Sequence, residues 1–230
     1  MKIFIAGASG AIGTHLVTRL VARGHQVVGT TRSQAKTGPL RALGAEPVAD
    51  ENGRIEPDPP GDAAEAVAAL RHVEDAVTGI TWADGIVLRY GSFYGPGTGL
   101  SAAPDAVMTG QIRKRRFPII GSGDGVWSLV HIADAAAATV AAVEKGETGI
   151  YHVADDDPAP VRVWLPYLAR TLGAGPPRRV PAWLARPLAG EGAVDMMTRA
   201  RGISSEKIKR ELGWTPQHPS WRTGFVDGLS

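Results

Sequence analysis

The chain has 230 residues, 43% of them hydrophobic and 21% charged, with a formal net charge of +2. That is enough for one α/β domain, or a domain with a small added lobe, in an ordinary globular composition. A pI near 9.0 on so small a surplus of bases makes no electrostatic case for nucleic acid, and the absence of cysteine excludes disulfides and thiolate metal sites. The six histidines show no HExxH spacing, so no metal is expected. Met1-Lys2 runs directly into an apolar segment with no signal-peptide pattern, and no apolar run reaches the length of a membrane span. The expectation is a cytoplasmic protein without a membrane partner.

The first element is a short apolar run, Lys2 to Ile5, that meets the turn Gly7-Ala8-Ser9-Gly10-Ala11-Ile12-Gly13. Ile12, Leu16, Leu20 and Val21 then recur at helical spacing up to Gly24, which predicts strand, turn and helix. The first amides of a helix have no internal partner and carry the positive end of its dipole, so a phosphate fits there. Gly7 lets the chain leave the strand, Gly10 admits a pyrophosphate close to the backbone, and Gly13 permits close packing of the helix on the sheet. The spacing is GxxGxxG, one residue wider at its start than the commonest dinucleotide fingerprint.

Gln26 to Thr31 reads as a second buried strand, parallel to the first because a helix separates them. Just past such a strand an acid would bind the ribose 2′-hydroxyl of NAD, whereas a base accommodates a 2′-phosphate. Here stand Thr31, Arg32 and Ser33, with Lys36 nearby and no acid, which favours NADP(H) over NAD(H) because a guanidinium holds phosphate through two parallel hydrogen bonds. The competing reading of Arg32 is a solvated loop arginine.

A helix over 34–43 and a truncated third strand, Glu46 to Ala49, follow, and then the pattern breaks. Asp50 to Asp62 is polar, holds Pro57, Pro59 and Pro60, and has no strand periodicity where a doubly wound domain should bring its fourth and fifth strands. From Ala63 to Gly79 an amphipathic helix places Val67, Leu70, Val73, Ala76 and Val77 on one face. Gly85 to Tyr90 is a strong strand that leads into Gly91-Ser92-Phe93-Tyr94-Gly95-Pro96-Gly97, at the end of a parallel strand where ligands bind in open sheets. These aromatic rings read either as ligand contacts or as a core cluster.

Residues 105–116 suggest a helix closed by Arg113-Lys114-Arg115-Arg116. Bases there favour the helix dipole, an anionic substrate group being the alternative and nucleic acid the weakest reading. An extended segment Phe117 to Gly121, a glycine-rich loop and Ser128-Leu129-Val130-His131-Ile132-Ala133-Asp134 lead into an alanine-rich helix that ends at Gly146. His131 reads as a substrate contact or, more commonly for a histidine flanked by apolar residues, as a satisfied structural group. A strand over 149–154, a helix over 163–172, a proline-rich connector over 176–187 and a last helix from Ser204 or Ser205 to Leu212 complete the chain.

Four of these stretches in this order resemble the short-chain dehydrogenase/reductases of the NAD-dependent epimerase/dehydratase type. They are Gly7 to Gly13, Leu88 to Gly97, Val130 to Asp134, and Glu211-Leu212-Gly213-Trp214-Thr215-Pro216. The resemblance implies a Rossmann-like, doubly wound parallel sheet of α/β class over residues 1–150. Residues 151–230 would be a small C-terminal substrate lobe, not an independent domain. It implies NAD(P) on the first turn, nicotinamide contacts from Tyr90 and Phe93, a small-molecule substrate of carbonyl or sugar type, and sometimes a homodimer.

It also implies a catalytic YxxxK pair on the helix before the Ile86 strand, where a lysine lowers the tyrosine pKa so that it can exchange the carbinol proton. No YxxxK occurs anywhere in the sequence. Aligned through Glu74, its positions hold Ala66 and Leu70, so the chain resembles a family member with an internal deletion near 48–57 and no assigned catalytic residue. Three readings follow, of which the first is an oxidoreductase with an unconventional proton donor such as Tyr90 or Tyr94 and the second a catalytically silent NADP(H) sensor or scaffold. A remnant that binds nothing is the third.

Overall fold

The computed structural model describes residues 1–5, 7–31, 42–43, 46–49 and 63–230. The predicted helix over 34–43 and the polar segment 50–62 lie almost wholly outside these residues, as do Arg32 and Ser33.

β1 (Lys2–Ile5), β2 (Gln26–Thr31) and β3 (Glu46–Ala49) form a parallel three-stranded sheet in that order. Ile3 lies beside Val27, and Thr30 beside Val48. α1 (Ala11–Ala22) crosses between β1 and β2, and Gly24, with φ +80°, supports the left-handed turn after it.

A second parallel pair joins β4 (Ile86–Tyr90) to β9 (Gly149–Val153), with Leu88 beside Tyr151. β5 (Ser92–Tyr94) pairs in parallel with β8 (Leu129–His131). Among the described residues no ladder joins β1 to β4, so the shortened Rossmann-like sheet is present as separate pieces. Helix packing bridges them. α4 (Ile132–Lys145) lies against α1, and Leu16, Val17 and Leu20 share one buried cluster with Ala136 and Val140.

α2 (Ala63–Thr78) departs from the amphipathic reading. Leu70 and Val73, predicted to face the core, are 62% and 56% exposed, and Ala76 is exposed as well. An apolar stripe on a helix is buried only where a sheet face meets it, and the central strands expected there are the ones this sequence lacks. What fastens the helix is Glu74, which accepts from Arg89 Nε at 2.7 Å and pairs with its guanidinium.

α3 (Val107–Arg113) is shorter than predicted, and the bases after it sit at its C-terminal end, with Arg115 Nε donating to Pro176 O at 3.0 Å. The last eighty residues interleave with the middle of the chain. β10 (Ala159–Pro160) runs antiparallel to β7 (Val126–Trp127), and β11 (Arg179–Val180) parallel to β6 (Ile119–Ile120).

α5 (Val161–Thr171) buries Trp164, Leu165 and Leu168 in the largest core cluster, with Tyr94, Leu129, Trp221 and Phe225. The proline-rich connector is partly regular: Pro181 begins α6 (Ala182–Ala189), followed by α7 (Glu191–Thr198). The fixed φ of proline suits the start of a helix.

Nor is α8 (Glu206–Leu212) the last helix, as its Gly213 cap suggested, for α9 (Trp221–Asp227) follows it. Ser220 caps α9 by accepting from Arg222 N at 3.1 Å. Its sequence hid it because Gly224 sits mid-helix, where glycine is disfavoured. The structure supplies the reason: a Cβ at Gly224 would overlap the Tyr94 hydroxyl.

Candidate functional site

The glycine turn is built by backbone contacts. Gly7 has φ +72° and Gly10 N donates to Gly7 O at 2.9 Å, closing the turn before α1. A Cβ on Gly13 would overlap Gly7 O and stand 2.7 Å from the Ala8 carbonyl. The third glycine is therefore demanded by the turn's own backbone, which it allows to fold over the helix start, rather than by the sheet. Gly10 caps α1 with extended backbone and no side-chain cap, and no acid lies in its first turn. A turn whose Gly13 Cβ position is filled by backbone, opening on a helix N-terminus without a carboxylate, fits a dinucleotide diphosphate. Ala8 is fully buried and Ser9 and Ala11 are half-buried beside it.

Ile12 joins this turn to the second half of the site by packing on the cluster that holds Tyr90 and Phe93. Tyr90 and Phe93 are themselves in contact, their rings 5.3 Å apart, and Gly97 lies 3.8 Å from Ala11 Cβ when a Cβ is placed on it. The two stretches that the resemblance assigns to the cofactor thus meet. The backbone of Thr31 ends β2, and its side chain, like Arg32 and Ser33, lies outside the described residues.

Neither tyrosine offered as an unconventional proton donor is arranged as one. The Tyr90 hydroxyl bonds to Thr139 Oγ1, which already donates to Ala135 O at 2.8 Å, so the tyrosine is the donor. Burial pushes its pKa up. Tyr94 is fully buried, edge-on to Phe225 and His131, and its hydroxyl has no hydrogen-bond partner among the described residues. Burial first, then the charges of Asp155 and Asp134, push it far above the ordinary phenol value. The expected dyad positions offer nothing in exchange, since Leu70 is apolar and points to solvent.

His131 is a structural group. It caps α4, its Nδ1 accepting from Ala133 N at 3.2 Å, while Nε2 meets Gly228 O at 2.9 Å. Burial lowers its pKa below the usual histidine value, which keeps the ring neutral for both bonds. His131, Asp134 and His218 bring ligand atoms within 4.8 Å of one another. These atoms are engaged by the protein: Asp134 accepts from Gln217 N at 2.9 Å, His218 N at 2.8 Å and His218 Nδ1 at 3.0 Å. The cluster clasps the C-terminal segment to the start of α4. Sequence reading missed this role of Asp134 because its partners lie more than eighty residues away.

Two cavities lie near these residues. The larger, about 340 Å³, lies between Ile86 and Leu88 of β4 and Thr139, Ala142 and Val143 of α4. The smaller, about 170 Å³, lies beside the Tyr90 to Ser92 segment, under the chain around Arg201. Arg201 was not singled out from the sequence, where nothing separates it from other exposed arginines.

A glycine turn at the head of a parallel βαβ unit, backed by an aromatic strand end, defines a Rossmann-type dinucleotide fold. The profile of the NAD dependent epimerase/dehydratase family matches residues 3–50 and 65–154, and the chain belongs to that family. Residues 51–64, between the two matched stretches, are unmatched and overlap the stretch near 48–57 read as the site of an internal deletion.

A 3-diazoavenalumate denitrifying reductase of a Streptomyces species is 45% identical over 180 residues, which are 78% of this chain and 58% of that protein. The chain thus spans well under two thirds of that relative's length in the match. Among solved structures, a nucleoside-diphosphate-sugar epimerase of Pseudomonas aeruginosa superposes with a TM-score of 0.76 at 15% identity, covering all of this chain and 96% of the other. The human epimerase family protein SDR39U1, solved with NADPH, gives a TM-score of 0.68 at 17% identity over 100% and 99% of the two chains. These likenesses show the fold. Among the described residues no helix is long and apolar enough to cross a membrane.

Proposed function

We propose that this chain binds NADP(H) on the Gly7 to Gly13 turn and serves as a reductase for a small molecule held beside Tyr90 and Ser92. The observation that carries the reading is Gly13, whose missing side chain leaves room only for the turn's own backbone. Close folding of this turn over the helix start places the first amides of α1 and the positive end of its dipole where a diphosphate would sit. Gly7, Ala8, Ser9, Gly10, Ala11, Ile12 and Gly13 would hold the diphosphate, Thr31, Arg32 and Ser33 the adenosine ribose and its 2′-phosphate, and Tyr90 and Phe93 would flank the nicotinamide.

When bound, the reduced nicotinamide supplies a hydride. The chain's own residues would bind and orient, with neither Tyr90 nor Tyr94 delivering the proton, which would come from water. Ala66 and Leu70 cannot titrate, Tyr90 donates to Thr139, and Tyr94 is sealed in the core. A carbonyl substrate reduced here would gain its hydride on carbon and its proton from solvent on oxygen. The relative named as a denitrifying reductase supports reductive chemistry over epimerisation, which would need a proton-transferring base in both directions.

Parallel titrations with NADPH and NADH test this. The wild type should bind NADPH more tightly, Gly13→Val should bind neither, and Arg32→Asp should shift the preference toward NADH. Equal loss of both cofactors on Arg32→Asp, or loss of neither, would remove the 2′-phosphate assignment. A second reading, a silent NADP(H) sensor, is favoured by the apolar dyad positions. NADPH binding without oxidation across a panel of ketones, aldehydes, nucleotide sugars and aryl diazo acids would select it.

A further inference from the structure

We infer that Arg201 is the specificity-determining residue of the small cavity, and that the substrate is a compact, largely apolar carboxylate anchored on its guanidinium. This rests on the reading of that cavity as the substrate site.

The backbone around Arg201 is held in place by the strand beside it. Residues 196–203 run along β7 and are clamped on both sides of it. Met196 O accepts from Trp127 Nε1 at 2.8 Å, Met197 O from Gly125 N at 2.9 Å, and Ala200 O from Val126 N at 2.8 Å. Beyond it, Ile203 N donates to Ser128 Oγ at 2.9 Å, and that hydroxyl donates back to Ile203 O at 3.3 Å. Gly202 fits under Pro158 and Val126 so closely that a Cβ there would stand 2.9 Å from Pro158 Cβ. The backbone at Arg201 is thus fixed from both ends, although its side chain is exposed.

The second observation is charge. Among the described arginines some pair with an acid, Arg89 and Arg162 for example, and others such as Arg113, Arg170 and Arg178 do not, so what sets Arg201 apart is its place on a cavity wall. Arg201 lines the cavity and makes no hydrogen bond or ion pair with any described residue. The Ser92 hydroxyl, also on the lining, is likewise without a partner among the described residues. An unneutralised guanidinium at the mouth of a cleft is a receptor for a bidentate anion.

The third is size and lining. Tyr90, Trp127, Met196 and Ile203 supply apolar walls, and about 170 Å³ is below the range of roughly 300–1,000 Å³ for sites that enclose drug-sized ligands. A nucleotide sugar does not fit such a space. A single ring with a short acidic tail does, and the reductase relative is itself named for a carboxylate substrate.

The test measures equilibrium binding of trans-cinnamate, cinnamamide and phenyl phosphate to the full chain by calorimetry, with and without NADPH, for the wild type, Arg201→Gln and Arg201→Lys. Cinnamate should bind at least tenfold tighter than its neutral amide, Arg201→Gln should erase that difference, and Arg201→Lys should keep part of it. NADPH affinity should be the same in all three proteins. Equal binding of acid and amide to the wild type, or unchanged cinnamate affinity in Arg201→Gln, overturns the proposal. Tighter binding of phenyl phosphate than of cinnamate overturns the choice of carboxylate. A protein that binds cinnamate through Arg201 but no NADPH would instead defeat the cofactor reading and leave this one standing.

Discussion

The N-terminal unit of β1, α1, β2 and β3 and the half from Gly85 onward are held together by different means. The later half has the dense core, with Trp164, Trp221, Tyr94, Phe225, Leu129, Leu165 and Leu168 all essentially inaccessible to solvent. Of the first eighty residues, Leu20 stands alone among the largest fully buried described side chains. The N-terminal unit keeps its place by laying Leu16, Val17 and Leu20 on Ala136 and Val140, since no strand pairing reaches it among the described residues. A Rossmann sheet is ordinarily continuous, and where its centre is missing, helix packing, together with Arg23 and His25 on Glu144, joins the glycine turn to the later half. The dense core and the glycine turn therefore lie in different parts of the chain.

The strongest test of that contrast is a pair of core truncations. Trp164→Ala removes a fully buried ring that lies 5.1 Å from Trp127 and should cost about 3–5 kcal/mol, abolishing the near-ultraviolet tryptophan signal together with the fold. Leu20→Ala should cost about 2–5 kcal/mol in the N-terminal unit, losing NADPH binding while the signals of Trp127, Trp164, Trp214 and Trp221 persist. Loss of both properties in one transition for both variants would mean that the two regions are a single cooperative unit.

The next effect concerns pH. Asp155 is 3% exposed, one of its oxygens has no hydrogen-bond partner among the described residues, and burial pushes its pKa up to about 7. A raised carboxyl pKa means that the folded protein holds a proton that the unfolded chain has released, so stability falls as pH rises from about 4 to about 7 and then levels. Asp155→Asn should flatten that fall and stabilise the protein at pH 8 by roughly 1–3 kcal/mol, the scale of relieving one unsatisfied buried charge. Denaturant melts of both proteins from pH 5 to pH 8 would show it, and an unchanged slope would sink it. The signal should come from the later half, because Asp155 caps the turn before β10.

Smallest is the surface of α2. Leu70→Glu should change stability by no more than about 0.5 kcal/mol, since its side chain is 62% exposed. A loss of several kcal/mol on a denaturant melt would show that this stripe is covered by another part of the molecule.

The sequence by itself determined what depends on neighbours in the chain. The glycine turn, the helix stop at Gly24, the parallel order of β1 and β2, the Ile86 strand and the lack of a YxxxK pair all follow from local spacing, and the family motifs were legible in order. The tertiary structure decided what depends on distant partners. Whether the α2 stripe is buried rests on strands elsewhere, Gly224 is needed only because Tyr94 lies against it, and Asp134 finds its donors at Gln217 and His218. Arg201 became distinguishable only when the folded chain placed it, without an ion pair among the described residues, on the wall of a cavity. Hydrophobic periodicity and backbone conformational limits act over a few residues and can be read along the chain, whereas packing and charge pairing act across space and exist only once the chain has closed.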